Sequence, residues 1–195
     1  MNNILFLKSS LNGQKSHSNM LAQELVSQLA SKSKARVVER DLATQSLAHL
    51  SQSEMTAWMI PAKERSEEQL KLADVSDTLI KELQTTETVV IGMPMYNFAV
   101  PSTFKAWADR ISRAGITFRY TENGPIGLLE NKKIIIIATR GGIYAGTKKD
   151  SQTQYLKDFF AFIGIVDITF IYAEGLNMPG SEQRIEAAKT TIENF

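Results

Sequence analysis

The chain has 195 residues, of which 43% are hydrophobic and 22% are charged, as expected for one globular domain spanning residues 1–195. The formal net charge of +1 gives no indication of a nucleic-acid or membrane-surface partner, and the absence of cysteine excludes disulfides, thiol catalysis and thiolate metal sites. No signal-peptide pattern precedes the first apolar run, and no run approaches the ~18 residues of a membrane span, so we expect a cytoplasmic protein.

The first part of the chain predicts two strands separated by a helix. Residues 4–7 form a short, continuous apolar run, which is typical of a buried strand in the centre of a sheet. Ser18 is a candidate N-cap for a helix whose apolar face includes Leu21 and Leu25. Residues 36–40 alternate only partly between apolar and polar side chains, as in a strand at the edge of a sheet.

The segment that follows is less regular. Residues 41–61 show no clear period, and we expect their apolar cluster at 58–60 to be buried or to lie at a subunit interface. Residues 66–69 have the form of a capping box, and the apolar spacing after them predicts an amphipathic helix as far as Leu83. Residues 88–91 then predict the third strand.

The second half of the chain repeats this alternation. A helix follows Pro101, and four consecutive isoleucines within residues 133–138 predict a strand buried on both faces. Residues 155–162 predict a helix, residues 167–173 a fifth strand and residues 182–192 a last helix. Five strands that alternate with helices indicate parallel βαβ units, for which we predict a three-layer αβα sandwich with the flavodoxin-like strand order 2-1-3-4-5.

Three loops after predicted strands one, three and four should lie at the same edge of such a sheet, where ligands bind. Residues 8–18 offer several hydroxyls before a helix N-terminus, which suits a phosphate group. Residues 94–101 place Asn97 between two aromatic side chains, which suits one wall of a flavin pocket. Residues 139–146 contain adjacent glycines, which allow a ligand to approach closely, and Arg140, which is expected to balance negative charge.

Each loop also has an ordinary structural interpretation. The first could be a serine-rich turn, the second a connection whose side chains pack internally, and the third a flexible turn. The first loop has neither the G-x-G-x-x-G nor the Walker A pattern. The two histidines, His17 and His49, lack a ligand spacing, so we expect no metal site. Because all three loops are expected at one edge, we favour a shared site.

Seven segments of the chain match one known family in the same order. They are residues 8–10, 16–18, 94–98, 113–125, 139–142, 162–165 and 173–175. In these segments the chain resembles the FMN-dependent NADH azoreductases, which are bacterial quinone reductases with a flavodoxin-like fold. The resemblance is most specific at residues 113–125, whereas residues 45–65 match the family poorly.

The resemblance implies one FMN in each subunit of a homodimer, with the partner subunit completing each site. The phosphate and ribityl groups are then expected at Ser10, Ser16, His17 and Ser18. The isoalloxazine ring is expected against Met95, Tyr96, Asn97 and Phe98, and its pyrimidine edge near Thr139, Arg140, Gly141 and Gly142. Two further positions, Tyr120 and Phe162, match residues that line the substrate side in the family.

The resemblance also implies a ping-pong reaction, in which NADH gives a hydride to flavin N5 and a small aromatic acceptor then takes the electrons. Quinones would become hydroquinones, and azo compounds would be split into amines over two cycles. No acid–base pair stands out, so we predict no catalytic side chain. Two alternatives remain, namely a flavodoxin-type electron carrier, which an acidic face would favour, and a phospho-accepting regulatory module, which would need acidic residues after the first strand.

Overall fold

The computed structural model describes residues 3–195, which contain seven strands and six α-helices. The strands are β1 (Asn3–Lys8), β2 (Arg36–Asp41), β3 (Thr88–Pro94), β4 (Phe118–Thr121), β5 (Gly124–Gly127), β6 (Lys133–Thr139) and β7 (Asp167–Ala173). The helices are α1 (His17–Ser33), α2 (Gln52–Met59), α3 (Glu67–Gln84), α4 (Ser102–Ile111), α5 (Ser151–Phe162) and α6 (Ser181–Glu193).

Five of the strands form one parallel sheet in the order β2-β1-β3-β6-β7. Every neighbouring pair in it is parallel, so all five strands end at the same edge. The predicted five-stranded parallel sheet is therefore confirmed, and the predicted order corresponds to this one when the strands of the sheet are numbered among themselves. The other two strands, β4 and β5, pair as a separate antiparallel hairpin that the sequence analysis did not predict.

The isoleucine run in β6 shows how the sheet is covered on both faces. Successive residues of a strand point to opposite faces. Ile134 and Ile136 accordingly belong to the core beneath α3, α4 and α5, whereas Ile135 and Ile137 belong to the core beneath α1 and α6. Helices thus lie in two layers around the sheet, in a three-layer αβα arrangement.

The first helix begins two residues earlier than the sequence predicted. Ser16 is its N-cap, with an extended backbone and a side-chain oxygen that accepts a 3.1 Å hydrogen bond from the N–H of Asn19. The prediction that Ser18 is the cap is wrong, since Ser18 lies in the first turn. Both serines have a suitable side chain, and a preceding 3-10 turn at Gly13–Lys15 decides between them because it leaves Ser16 extended.

Residues 52–59, which we expected to be irregular, form α2. A capping box between Ser51 and Glu54 begins this helix, and Arg110 of α4 makes a 2.8 Å ion pair with Glu54. Arg110 also donates a hydrogen bond to a backbone carbonyl before α2. Polar contacts rather than a regular apolar stripe hold this segment, which explains why periodicity missed it. Met59 is 82% exposed, so the prediction that this residue is buried is wrong. Its location at a subunit interface remains a prediction.

Gly92 sets the distance between β3 and the N-terminus of α1. A Cβ at this position would lie 2.5 Å from Oδ1 of Asn19, 3.0 Å from the carbonyl oxygen of Ser18 and 3.1 Å from Cα of Asn19. Two of these atoms belong to the backbone of α1, which could not move without shifting the helix. The glycine therefore allows the first turn of α1 to lie directly against β3.

Candidate functional site

Hydrogen bonds join the loops that follow β1 and β3. The hydroxyl of Ser9 donates to the carbonyl of Gly92 at 2.7 Å. Farther from the sheet, the hydroxyl oxygen of Tyr96 accepts a 3.1 Å hydrogen bond from the N–H of Leu11 and lies 3.3 Å from Oγ of Ser10. Two residues predicted to belong to the site, Ser10 and Tyr96, are thus in contact, and the two loops form one surface.

The loop after β3 is also held by β6 and by α5. The N–H of Met95 donates to the carbonyl of Thr139 at 2.9 Å and so extends the pairing of the two strands. The side-chain amide of Gln152, in the first turn of α5, donates to the carbonyls of Pro94 at 2.9 Å and Ala99 at 3.1 Å. Because Gln152 is buried, both ends of the loop are fixed from the interior.

The turn between Tyr96 and Ala99 has a strained backbone. Hydrogen bonds of 3.0 and 2.9 Å close it, and Asn97 and Phe98 within it have φ angles of 50° and 64°. Asparagine tolerates this left-handed region, whereas a phenylalanine there costs about 1–3 kcal/mol. Both side chains are exposed, and Asn97 makes no side-chain hydrogen bond within residues 3–195. Strain kept in order to direct side chains outward is typical of ligand-binding loops.

The N-terminus of α1 combines buried hydroxyls with free backbone donors. The hydroxyl oxygens of Ser16 and Ser18 lie 3.1 Å apart, and both side chains are buried. The N–H groups of His17 and Ser18 donate to no acceptor in the described part of the chain, and the imidazole of His17 is exposed. Hydroxyls and free N–H groups at the positive end of a helix suit an anion such as a phosphate.

The glycine-rich loop after β6 carries a row of free N–H groups. Backbone N–H groups of residues 175–177 donate to the carbonyls of Arg140, Gly141 and Gly142 over 2.8–3.1 Å. In a trans peptide the N–H points opposite to the C=O of the same unit. The N–H groups of Gly141, Gly142 and Ile143 therefore point away from residues 175–177, and none of them donates to an acceptor within residues 3–195. They form a set of fixed donors.

Arg140 lies beneath this loop with its side chain fully buried. Its guanidinium forms ion pairs of 2.8 Å with Asp150 and 3.0 Å with Glu174. The expectation that Arg140 balances the charge of a ligand is therefore corrected, because two internal carboxylates already balance it. Glu174 also accepts 2.9 Å hydrogen bonds from the N–H groups of Tyr144 and Ala145. The arginine thus orders the loop instead of facing the cleft.

Asp150 owes its charged state to these contacts. Burial alone would raise the pKa of this carboxyl group, but hydrogen bonds from Arg140 and Thr153, together with the arginine charge, hold the pKa below its usual range. The Tyr172 ring lies 5.0 Å from the guanidinium, and burial raises the pKa of its phenol. The cluster beneath the loop therefore joins one cation to two acidic side chains and a neutral phenol.

A cleft of about 360 Å³ opens between the loops that follow β3 and β6. It is lined by Met95, Asn97, Phe98, Gly141, Gly142, Tyr144 and Asn177. Five of these residues were predicted from the sequence, whereas Tyr144 and Asn177 were not. Tyr144 belongs to the glycine-rich loop, whose pattern could have indicated it. Asn177 comes from the loop after β7, where no sequence signal distinguished it.

The remaining residues predicted to bind the cofactor do not line this cleft but belong to the loops at the same edge of the sheet. Ser10, Ser16, His17 and Ser18 lie at the loop after β1 and the start of α1, Tyr96 joins the two loops, and Thr139 and Arg140 are buried below. A larger groove of about 680 Å³, on the β2 side of α1, contains none of the predicted residues. Within residues 3–195 there is no group of three side chains that could hold a metal ion, and no helix is long and apolar enough to span a membrane.

The family model described as a flavodoxin-like fold matches residues 2–195 of the chain. An FMN-dependent NADH:quinone oxidoreductase of Alteromonas mediterranea is 50% identical over 183 residues, which cover 94% of this chain and 91% of that protein. Another, from Cellvibrio japonicus, is 46% identical and covers 99% of this chain and 98% of its own. An azoreductase crystal structure from Bacillus anthracis has a TM-score of 0.87 at 26% identity, with 100% of both chains covered. The chain belongs to the family of FMN-dependent NADH:quinone oxidoreductases.

In this member of the quinone oxidoreductase family, Tyr120 and Phe162 lie away from the cleft. Both contact Phe118, with ring centroids 5.5 and 4.3 Å from that of Phe118. Phe162 is the last residue of α5, whereas Gln152 at the other end of the helix adjoins the cleft. A helix of 12 residues spans about 18 Å. One chain therefore does not bring these two predicted residues to its own cleft.

Tyr120 instead belongs to an exposed apolar face between α2 and the hairpin. We define this apolar face by Met55, Trp58, Met59, Ile116, Phe118 and Tyr120, which border a second cleft of about 500 Å³. Tyr120 is 73% exposed and Met55 is 52% exposed. Large apolar side chains clustered in this way mark a surface that binds another molecule.

We expect Asp150→Asn to lower the free energy of unfolding by about 2–3 kcal/mol. Breaking a buried ion pair costs about 3–5 kcal/mol, and Glu174 still pairs with Arg140 in the variant. Asparagine remains a good N-cap for α5, so the change isolates the charge. Because the pKa of Asp150 is lowered, its stabilising effect is present above the pKa of an unfolded aspartate and is lost as the pH falls through the lowered value.

Urea unfolding curves from pH 7 down to strong acid measure this difference. Asp158→Asn, at an exposed position of the same helix, is the matched control and should change stability by less than about 0.5 kcal/mol. A loss in Asp150→Asn that stayed constant into strong acid would contradict the assignment to the carboxylate charge.

Proposed function

We propose that the protein is a cytoplasmic homodimer that binds one FMN in each subunit and transfers electrons from NADH to quinones and azo compounds. The arrangement of the cleft is the observation that carries this proposal, since a strained aromatic turn faces a row of free N–H groups. A flat ring with an electron-rich edge suits two such walls. FMN, when bound, supplies the hydride-accepting and hydride-donating chemistry.

The start of α1 and the loop before it would hold the phosphate and ribityl groups. Three buried hydroxyls, on Ser10, Ser16 and Ser18, face this region together with the free N–H groups of His17 and Ser18. The donors are neutral, so the helix end provides the positive potential for the phosphate.

The two walls of the cleft would hold the ring itself. Met95, Asn97 and Phe98 offer apolar contact and one free amide on the β3 side. On the β6 side, the N–H groups of Gly141 and Gly142 are already oriented before any ligand binds. Because such donors are already oriented, they stabilise negative charge that develops during a reaction without having to reorganise. We therefore place the pyrimidine edge, where charge develops on reduction, at this wall.

The lining of the cleft contains no histidine or carboxylate, so the chain offers no conventional acid–base pair there. We infer that solvent supplies the protons for reduction of the acceptor. NADH and the acceptor would occupy the same cleft in turn, which is a ping-pong order. A quinone takes up two electrons and two protons to give a hydroquinone, and an azo bond needs two such cycles to give two amines.

The positions of Tyr120 and Phe162 support a dimer. Neither residue reaches the cleft of its own chain, and Tyr120 lies on the exposed apolar face. If these residues line the substrate side, as the resemblance implies, they must do so in the site of a partner subunit. Burying the apolar face against the partner would also remove the exposed Met55 and Met59 side chains from water.

The direct test is the visible spectrum of the protein reconstituted with FMN. We expect anaerobic NADH to bleach the flavin absorption, and a quinone added afterwards should restore it. Stopped-flow absorbance measures the two half-reactions separately, and parallel double-reciprocal plots would support the ping-pong order. Bound flavin that NADH does not reduce would instead indicate an electron carrier, and absence of bound flavin would refute the proposed function.

Ser16→Ala should weaken FMN binding about tenfold if the phosphate lies at the start of α1. The variant loses a hydroxyl near the phosphate and an N-cap worth about 1 kcal/mol. Ser66→Ala, which removes the N-cap of α3 and lines neither the cleft nor the apolar face, is the matched control. Both variants should lose similar stability in thermal unfolding, but only Ser16→Ala should release FMN more readily on dilution, as measured by flavin fluorescence. Equal FMN retention in both would place the phosphate elsewhere.

Met59→Glu should convert the dimer to a monomer, because it places a charge in the apolar face. Val166→Glu changes an equally exposed apolar residue that is not part of the apolar face and should leave the dimer intact. Sedimentation equilibrium measures the assembly, and quinone turnover should fall only in Met59→Glu. A Met59→Glu protein that remained dimeric would show that the interface lies on another surface.

A further inference from the structure

Tyr144 is held in position by its backbone on both sides. Its N–H donates to the carboxylate of Glu174 at 2.9 Å, and its carbonyl accepts from the N–H of Thr147 at 2.9 Å and from the Thr147 hydroxyl at 2.8 Å. Glu174 is in turn paired with the buried Arg140. The backbone of Tyr144 is therefore tied to the ion-paired cluster beneath the glycine-rich loop, even though the residue lies in a loop.

The side chain of Tyr144 lies along the wall of the cleft. A Cβ added to Gly142 would be 2.6 Å from the Tyr144 hydroxyl oxygen, so the phenol occupies the space that a side chain at position 142 would fill. The Tyr144 ring meets the Phe98 ring edge-on, with centroids 5.4 Å apart. This contact joins the loop after β3 to the loop after β6 and helps to fix the Tyr144 ring.

The hydroxyl of Tyr144 makes no hydrogen bond within residues 3–195, although the ring is only partly exposed. It lies beside Gly142, whose N–H belongs to the row of free donors. A phenol hydroxyl that is oriented and has no partner within these residues, next to other free donors, is arranged to donate to a ligand.

We infer that the Tyr144 hydroxyl is a further ligand-binding group, which donates a hydrogen bond to the electron-rich edge of the bound ring. This inference rests on the proposed function. Negative charge on that edge increases on reduction, and a hydrogen bond to a charged acceptor is roughly twice as strong as one to a neutral acceptor. Tyr144 should therefore favour the reduced ring over the oxidised ring and raise the reduction potential of the site.

Tyr144→Phe removes only the hydroxyl and keeps the ring contact with Phe98. We expect oxidised FMN to dissociate from the variant holoprotein with a dissociation constant about fivefold higher, which corresponds to one ordinary hydrogen bond. The affinity for reduced FMN should fall further, so the midpoint potential of the bound flavin should become more negative. Flavin fluorescence on dilution measures the first change, and equilibration with a redox dye measures the second.

Tyr155→Phe is the matched control, because Tyr155 lies on α5 with its ring stacked on Phe159 and does not line the cleft. It should leave both the dissociation constant and the potential unchanged. If Tyr144→Phe also left both unchanged while the wild-type protein held FMN, the inference would be overturned and the proposed function would stand. A wild-type protein that holds no FMN would refute the proposed function itself.

Discussion

The buried ion pairs of Arg140 determine the positions of both walls of the cleft. The guanidinium has no exposed surface and would be very unfavourable there without Asp150 and Glu174. Glu174 orients the N–H groups of residues 144–145 and so shapes the glycine-rich loop. Asp150 begins α5, whose buried Gln152 fixes the loop after β3. One charged group beneath the sheet edge thus connects segments that are far apart in the chain.

Using Arg140 in this way has a consequence for the chemistry of the cleft. A cation in the wall would bind anions tightly in every state of a reaction. The wall instead presents the neutral N–H groups of Gly141 and Gly142, whose directions are fixed by the carbonyls on the other side of the same peptides. Neutral donors interact most strongly with a ligand atom on which negative charge develops. They therefore stabilise the more negative state of a ligand relative to the less negative one, rather than binding both states equally tightly. That property suits a site where electrons arrive and leave.

The strained turn at Asn97 and Phe98 is explained by the same rigid frame. The left-handed conformation of Phe98 costs about 1–3 kcal/mol, and a loop free to relax would avoid it. The backbone pairing of Tyr96 with Ala99, and the hydrogen bonds from Gln152, prevent that relaxation. The strain is therefore supported by interactions in the interior, and the exposed Phe98 ring is held against the Tyr144 ring.

Apolar pattern was enough to predict the sheet and the edge at which the three loops meet. The four consecutive isoleucines of β6 predict a strand that is buried on both faces of the sheet, as the structure shows. The ends of the predicted strands in turn give the positions of the loops. Pattern carries no information on the direction of a polar side chain. Arg140 therefore could not be recognised as internal, and Ser16 could not be distinguished from Ser18 as the helix cap. Helix α2 was missed for a related reason, because Arg110 holds it through an ion pair.

The positions of Tyr120 and Phe162 could not be predicted from periodicity, because neither residue reaches the cleft of its own chain. Periodicity reports which side chains a single chain buries, and Tyr120 is exposed in this one. A residue that acts in the site of a second subunit has the same pattern as an ordinary surface residue. The resemblance at residues 113–125 is what pointed to Tyr120, and the length of α5 is what separates Phe162 from its own cleft. If the chain forms the dimer that we propose, assembly rather than the fold alone brings the substrate side and the cofactor side of the site together.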